Sequence, residues 1–356
     1  MSSPTRESEI RAAVGPALQR AMRYARVHDY TGPDPYDGLT SPLARGMRSP
    51  RLRQAWAQAH KHGGLALRRA TGVPPVRMTK GLALFSAAAL RMGQDDLARE
   101  LIRTIFRERG TGPWGYEFDV QTRWGFYPAG SPNVVATTFA LRAIRDAGLL
   151  GEVSSGVQEW LAGQFQTDGG YFAYNESSAR LIHNGSLLAA ESLTILGAEQ
   201  EKVERALSTA LRAQTAEGAW PYGEGPSLKW VDSVHTIYML DSLALLSDAG
   251  FDTQDAIGQG VSYWKRHFLQ AEGLPLYHAD SARPARDIHS VATSVAFMAR
   301  ALGAGWELPA PEPAMERLLS FQQADGGFRR GMRGPAYMRW NQAHAALALA
   351  EWGSQL

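Results

Sequence analysis

Six apolar stretches, each opening on a polar cluster, recur along the chain at intervals too long for a single helix. They read TKGLALFSAAALRM from Thr79, NVVATTFALRAI from Asn133, LIHNGSLLAAESLTIL from Leu181, SVHTIYMLDSLALL from Ser233, DIHSVATSVAFMARAL from Asp287 and RWNQAHAALALAEW from Arg339. Their polar marks are Lys80, Asn133, Asn184, His235, His289 and Asn341, which by subtraction stand 53, 51, 51, 54 and 52 residues apart. A period of that length holds two helices and a loop, so the pattern predicts six helical hairpins and an all-α fold. Helices that are apolar on most of their circumference are buried on most of it, which assigns these six to an inner ring. Between them lie stretches charged on one face, DDLARELIRTIFRERG, EQEKVERALSTALRAQ and PEPAMERLLSFQQ, that suit an outer ring facing water. Strict alternation of inner and outer helices closes into an (α/α)6 toroid. An open solenoid competes, but its repeats are usually about 30–45 residues with short loops.

Before the first repeat, residues 6–28 have helical periodicity, the turn-rich DYTGPDPYDGLTSP occupies 29–42, and helix resumes from Pro50 toward His62. Residues 1–75 are expected to form an N-terminal helical extension that supplies an outer helix and packs on a toroid of residues 76–356, one structural unit with no flexible linker. The loops also repeat. QTDGGYFAY, QTAEGAWPYGE, QAEGLPLYH and QQADGGF each place an acidic-glycine turn after a glutamine and before an aromatic or apolar residue. Glycine supplies the positive φ of such turns, and we read them as structural clasps.

Composition acts mainly by exclusion. The chain has no cysteine, so disulfides, thiolate zinc sites and a cysteine nucleophile are ruled out. His and Asp/Glu show none of the usual metal spacings, and no cofactor or metal is expected. With 37 basic and 35 acidic residues the net charge is +2, which gives nucleic acid no purchase as a partner. No apolar run approaches the roughly 20 residues that span a membrane, and the charged N-terminus lacks a signal-peptide core, so a cytoplasmic location is expected. No DDxxD or DxDD acid motif, phosphate-cradling GxxxxGK loop or GxSxG elbow is present.

All inner helices of a toroid run the same way, so their N-termini meet at one rim, where unpaired N–H groups and helix dipoles favour an anion. The residues expected there are Lys80, Asn133, His183, Asn184, Asp232, His235, Asp287, His289, Arg339, Asn341 and His344. The sharpest constellation lies in residues 220–246. Asp232 stands at the expected N-cap, and His235, Tyr238 and Asp241 follow at three-residue steps on one helix face. A carboxylate beside a histidine orients the ring and raises its basicity, and a tyrosine within reach passes a proton. Tyr222, Glu224 and Trp230 precede this helix as candidate substrate contacts. A second cluster, residues 114–133, interleaves Trp114, Tyr116, Trp124, Phe126 and Tyr127 with Glu117, Asp119 and Arg123. A hydrocarbon or carbocation needs aromatic walls with few charges, whereas this mixture suits an acidic sugar. In residues 329–344, Tyr337 and Arg339 offer a site for an acidic substrate group.

Taken in order, these segments resemble a bacterial family of α/α-toroid proteins found in polysaccharide biosynthesis, within the terpenoid cyclase and protein prenyltransferase-like superfamily. The resemblance runs through DPYDGLTSP at 34–42, GVPPVRMTKGLALF at 72–85, WGYEFDVQTRWGF at 114–126, SPNVVATTF at 131–139 and IHNGSLLAA at 182–190. It continues through WPYGEGPSLKWVDSVHT at 220–236, RDIHS at 286–290 and YMRWNQAH at 337–344. It implies the toroid and a role in making or modifying cell-surface glycans. Superfamily activities do not transfer, because the zinc-ligand cysteine and the cyclase acid motif are missing. Arg339, Trp340 and Asn341 also resemble, more faintly, an Arg-Trp segment of glucuronyl C5-epimerases.

The expected function is therefore an enzyme acting on a saccharide, acidic and either free, oligomeric, lipid-linked or nucleotide-linked, by proton abstraction beside a uronate carboxylate. His235 and Tyr238 are expected as base and acid with Asp232 orienting the histidine, Asp287 and His289 as a reserve pair, and Arg339 and Asn184 neutralising the carboxylate. Glycoside hydrolysis by two carboxylates drawn from Glu117, Asp119, Glu224, Asp232 and Asp287 is the close alternative. Isoprenoid chemistry and a non-catalytic glycan-binding scaffold are the others.

Overall fold

The computed structural model describes residues 6–122, 125–330 and 334–356. Helix α1 (Arg6–Val27) is followed by the short helices α2 (Pro50–His62) and α3 (Gly64–Ala70). Five helical pairs come next: α4 (Thr79–Arg91) with α5 (Asp95–Arg109), α6 (Val134–Asp146) with α7 (Ser155–Gly163), α8 (His183–Ile195) with α9 (Gln200–Ala213), α10 (Ser233–Asp248) with α11 (Gln254–Phe268), and α12 (Ile288–Gly303) with α13 (Glu312–Leu319). A π-helical turn over Met338–Ala343 leads into α14 (His344–Gly353). The strands described are two-residue antiparallel pairs in the loops: Thr31–Gly32 with Val76–Arg77, Val120–Gln121 with Phe126–Tyr127, and Phe165–Gln166 with Tyr171–Phe172.

Each even-numbered helix from α4 to α14 packs on the next, and α14 returns to α4, which closes an inner ring. Alanine makes the closure feasible, since small side chains such as Ala88, Ala140, Ala189, Ala299 and Ala346 are wholly buried where these helices meet. The odd-numbered helices from α5 to α13 lie outside, with one buried stripe each, as in α9 where Val203, Ala206, Leu207 and Ala210 turn inward. Helix α1 packs on α13 and α14 and takes the sixth outer place. The fold is therefore the (α/α)6 toroid that the repeat predicted.

The glutamine-glycine loops show how the outer ring is tied together. The Gln214 side-chain amide donates to the carbonyl of Gly218 in its own turn and to that of Ala256 on α11. Gln322 does the same with Gly326 and with Ala17 on α1. The repeat thus treats α1 as the helix that follows α13, although it is 300 residues away in sequence. Both turns need glycine. Gly218 and Gly326 have φ of +96° and +89°, and a Cβ on either would stand 2.4 Å from a backbone oxygen of Gln259 or Arg20.

The segment between α1 and α4 lies along the rim at the N-terminal ends of the inner helices. It is fastened by two buried ion pairs, Arg68 with Asp37 and Arg339 with Asp34. Arg339 is bidentate, its Nε and Nη2 donating to the Asp34 carboxylate at 2.8 and 2.9 Å. Replacing Gly326 by alanine should cost about 1–3 kcal/mol, the range for a strained φ, with the clash at Arg20 adding to it. Denaturant unfolding of the two proteins measures that difference.

Candidate functional site

The inner helices leave two chambers on the toroid axis. One, of about 1250 Å³, opens among their N-terminal ends; the other, of about 870 Å³, lies among their C-terminal halves. Lys80, Asn184, His235, His289 and Asn341 all reach the first chamber, so five of the six polar marks meet there. The sixth, Asn133, is buried as the N-cap of α6, its Oδ1 accepting from the N–H of Ala136 at 2.9 Å.

Helix α10 carries the most developed arrangement. Asp232 caps it by accepting from the His235 N–H at 2.9 Å, and its other oxygen lies 2.7 Å from His235 Nδ1. Burial would raise the Asp232 carboxyl, but the contacts with His235 outweigh it and hold the acid below its usual range. An ionised Asp232 favours the tautomer that carries its proton on Nδ1 and leaves Nε2 as the other ring nitrogen. The imidazole stands edge-on to Tyr222 and Trp230, which stack on each other at 4.2 Å, so the ring has one orientation in the chamber wall.

One turn further, Tyr238 reaches the waist between the chambers. Its hydroxyl accepts from Lys80 Nζ at 3.1 Å and lies 3.3 Å from His289 Nε2. Lys80 Nζ also sits 3.8 Å from the centre of the Phe139 ring. Burial, together with Arg339 and Arg142, holds the Lys80 amine well below its ordinary value. Burial and the neighbouring cations likewise keep His289 and His344 neutral, their rings 4.2 Å apart. Burial raises the phenols of Tyr116, Tyr174, Tyr222, Tyr238 and Tyr277, so at neutral pH they are hydroxyl donors. Asp287 accepts from Trp340 Nε1 at 3.1 Å, its other oxygen stands 3.9 Å from His289 Nδ1, and burial raises its carboxyl. Asp232 with His235, and Tyr238 with His289 and Asp287, form two bonded sets side by side, the His235 and Tyr238 rings 6.3 Å apart. Asp241, on the same face of α10, points into the second chamber and pairs with Arg300.

Other expected site residues fall elsewhere. Trp114 is 1% exposed and belongs to the core, its indole donating to the Gly110 carbonyl. Glu117 accepts from the Thr79 N–H and hydroxyl at 2.7 and 2.6 Å and so caps α4 from outside the chamber wall. Asp119 is spent on the Ala129 N–H in a surface hairpin. Glu224 is exposed and stands 3.4 Å from buried His183, behind the wall. Arg339 does reach the chamber, but Asp34 already neutralises it, so it is not a free cation for a substrate carboxylate. Arg123 and Trp124 lie outside the described residues.

Tyr116 lines the chamber and meets the Tyr174 hydroxyl at 3.2 Å, while Tyr337 donates to the Lys61 carbonyl. Asn341 donates to the Phe328 carbonyl, and Asn184 Oδ1 is buried with no partner among the described residues. Sequence reasoning missed Tyr36, Tyr174 and Tyr277 in the wall, and placed Lys80 at the rim rather than at the waist beside Tyr238. Lys80 had a signal, since it is one of only five lysines and opens the first repeat. Among the described residues no group of three or more His, Asp or Glu side chains converges on a metal site, and no helix is long and apolar enough to cross a membrane.

No family model matches the chain, and no curated protein does either. Solved structures do. A type II terpene cyclase, MstE from Scytonema, in complex with merosterolic acid A, superposes with a TM-score of 0.56 at 15% identity over 98% of this chain and 99% of that one. A protein from Actinoplanes gives 0.55 at 15% identity over 96% and 100%. A possible member of the GH105 family from Salmonella enterica gives 0.54 at 14% identity over 78% and 82%. At such identities these likenesses establish the toroid and nothing finer.

Because His289 and His344 are held neutral in the folded protein, unfolding below about pH 6.5 lets each take up a proton. Stability should be full above that pH and fall as the pH drops toward the depressed native values, by up to about 1.4 kcal/mol per unit for each histidine. Thermal unfolding between pH 7.5 and 5 measures the slope, and His344→Phe should flatten it.

Proposed function

We propose that the protein is an enzyme of polysaccharide or glycoconjugate biosynthesis, working in the bacterial cytoplasm, that moves a proton on an acidic saccharide in the first chamber. The observation that carries this reading is the pairing of an oriented base with a proton donor. His235 is fixed by Asp232, and Tyr238, held by Lys80 and His289, stands with its ring centre 6.3 Å away on the same wall.

The lining favours an anionic, hydroxyl-rich ligand. Apart from Arg339, which Asp34 neutralises, the described lining residues set Lys61, Lys80, Arg180, Arg286 and Arg330 against a single carboxylate, Asp287. Eight tyrosines line the same space, offering flat apolar faces with hydroxyl edges that suit a sugar better than a hydrocarbon. Two-carboxylate hydrolysis is disfavoured because Glu117, Asp119 and Glu224 are turned away, which leaves only Asp287 beside the histidine-bound Asp232.

In this reading a uronate carboxylate lies against Lys80, whose amine has no carboxylate partner among the described residues and becomes an ammonium when an anion enters. A sugar hydroxyl donates to Asn184 Oδ1. His235 Nε2 removes the proton beside the carboxylate, Lys80 stabilises the enediolate that forms, and Tyr238 returns a proton to carbon or to the departing oxygen. The first outcome is epimerisation and the second elimination.

Proton NMR of uronic-acid saccharides incubated with the protein in deuterated water tests the assignment. Wild type should erase the H5 signal of its substrate, and His235→Ala should slow that loss by about 10²–10⁴-fold, the usual worth of a general base. Exchange undiminished in both His235→Ala and Tyr238→Phe would overturn the roles given to them. Absence of exchange on any uronate would overturn the reading itself.

A further inference from the structure

We propose that an arginine groove beside the chamber mouth is a second anion subsite. The ligand then carries another negative group beyond the sugar at His235, either a diphosphate linker or a neighbouring uronate. The inference rests on the acidic-saccharide reading and extends it to the next unit of the substrate.

The groove, of about 620 Å³, lies between the loop before α12 and the C-terminal end of α13. Arg286, Arg317, Arg329 and Arg330 line it together with Ser320, Phe321 and Gln323, and no acid does. Arg329 is neutralised by Asp325. Arg286, Arg317 and Arg330 have no carboxylate partner among the described residues. The acid lining the chamber, Asp287, feels the charge of Arg330 and accepts from Trp340. A chain with 37 basic and 35 acidic residues has no general surplus of cations, so three uncompensated guanidinium groups in one groove are a local concentration. Arg286 and Arg330 are exposed, so water screens part of their repulsion, and an anion entering the groove would be drawn to all three guanidinium groups.

Two further details point to a ligand. Arg286 and Arg330 line the groove and the chamber alike, so the two spaces share a wall. Arg317 is laid across the Phe321 ring at 4.8 Å, with its Nε buried and unpartnered. The stacking holds its guanidinium fork in place with donors unused, the state suited to bidentate capture of a carboxylate or phosphate. A second anionic group carried by the same ligand would be received by this groove, which adjoins the chamber through Arg286 and Arg330.

Isothermal titration of the full-length protein with glucuronate, trigalacturonate, UDP-glucuronate and inorganic pyrophosphate tests the subsite. One extended ligand should bind at least about ten-fold more tightly than glucuronate, the worth of one charge-assisted contact. In Arg317→Ala that preference should shrink to within about two-fold. A gain confined to trigalacturonate assigns the groove to a neighbouring uronate; a gain shared by UDP-glucuronate and pyrophosphate assigns it to a diphosphate. Equal binding of all ligands, or a preference that survives Arg317→Ala, overturns the subsite. Proton exchange on glucuronate with no preference for longer ligands would remove the subsite and keep the proton-transfer reading. Arg317-dependent binding of pyrophosphate with no exchange on any uronate would do the reverse.

Discussion

The structure depends on one constraint: six apolar helices, joined by hairpins of near-constant length, must close a ring while all running in the same direction. Closure buries the alanine faces, and the common direction sets six helix N-termini around one opening. Each brings the positive end of a dipole to the first chamber, although Glu117, Asn133 and Asp232 cap three of them. The cationic lining adds to a bias the backbone has already created. The second chamber, among the opposite helix ends, carries paired charges instead, with Arg142 on Glu191 and Arg300 on Asp241.

Ring closure alone would leave the outer ring one helix short, and α1 fills the gap by using the repeat's own fastening. The clasp that ties Gln214 to α11 ties Gln322 to α1, so the first and last parts of the chain are joined by the device that joins consecutive repeats. The Asp34–Arg339 pair fixes the same junction at the rim. A buried pair of this kind contributes little net energy when intact, but removing one partner leaves an unpaired buried charge. Arg339 is thereby committed to structure, and Lys80 is the buried amine at the waist that an entering anion would charge.

The waist shows what burial does to otherwise ordinary side chains. Lys80, His289 and His344 crowd within a few contacts of one another without a carboxylate partner, and desolvation keeps them from charging together. A site of this kind responds strongly to an entering anion, because one negative group satisfies several positive neighbours at once. His235 differs because Asp232 is bonded to it, and its ring reaches the chamber rather than the septum. Two histidines at equivalent places in successive repeats therefore hold different environments.

The sequence by itself determined the toroid, since a period near 50 residues and all-round apolar helices admit few other closed packings. It also determined the helix-cap dyad of Asp232 and His235, because a cap and the third residue beyond it are neighbours through local geometry alone. Only the tertiary structure decided which polar residues face the chamber. Glu117, Asp119 and Glu224 look like chamber acids in sequence, yet each is satisfied by a nearby N–H, hydroxyl or histidine outside it. Tyr36, Tyr174 and Tyr277 look like loop residues and form the wall. The difference is physical: caps and repeats are fixed by contacts a few residues apart, whereas the lining of a closed ring is set by partners on other repeats, as in Tyr238 with Lys80 and Arg339 with Asp34, whose spacing no local rule records.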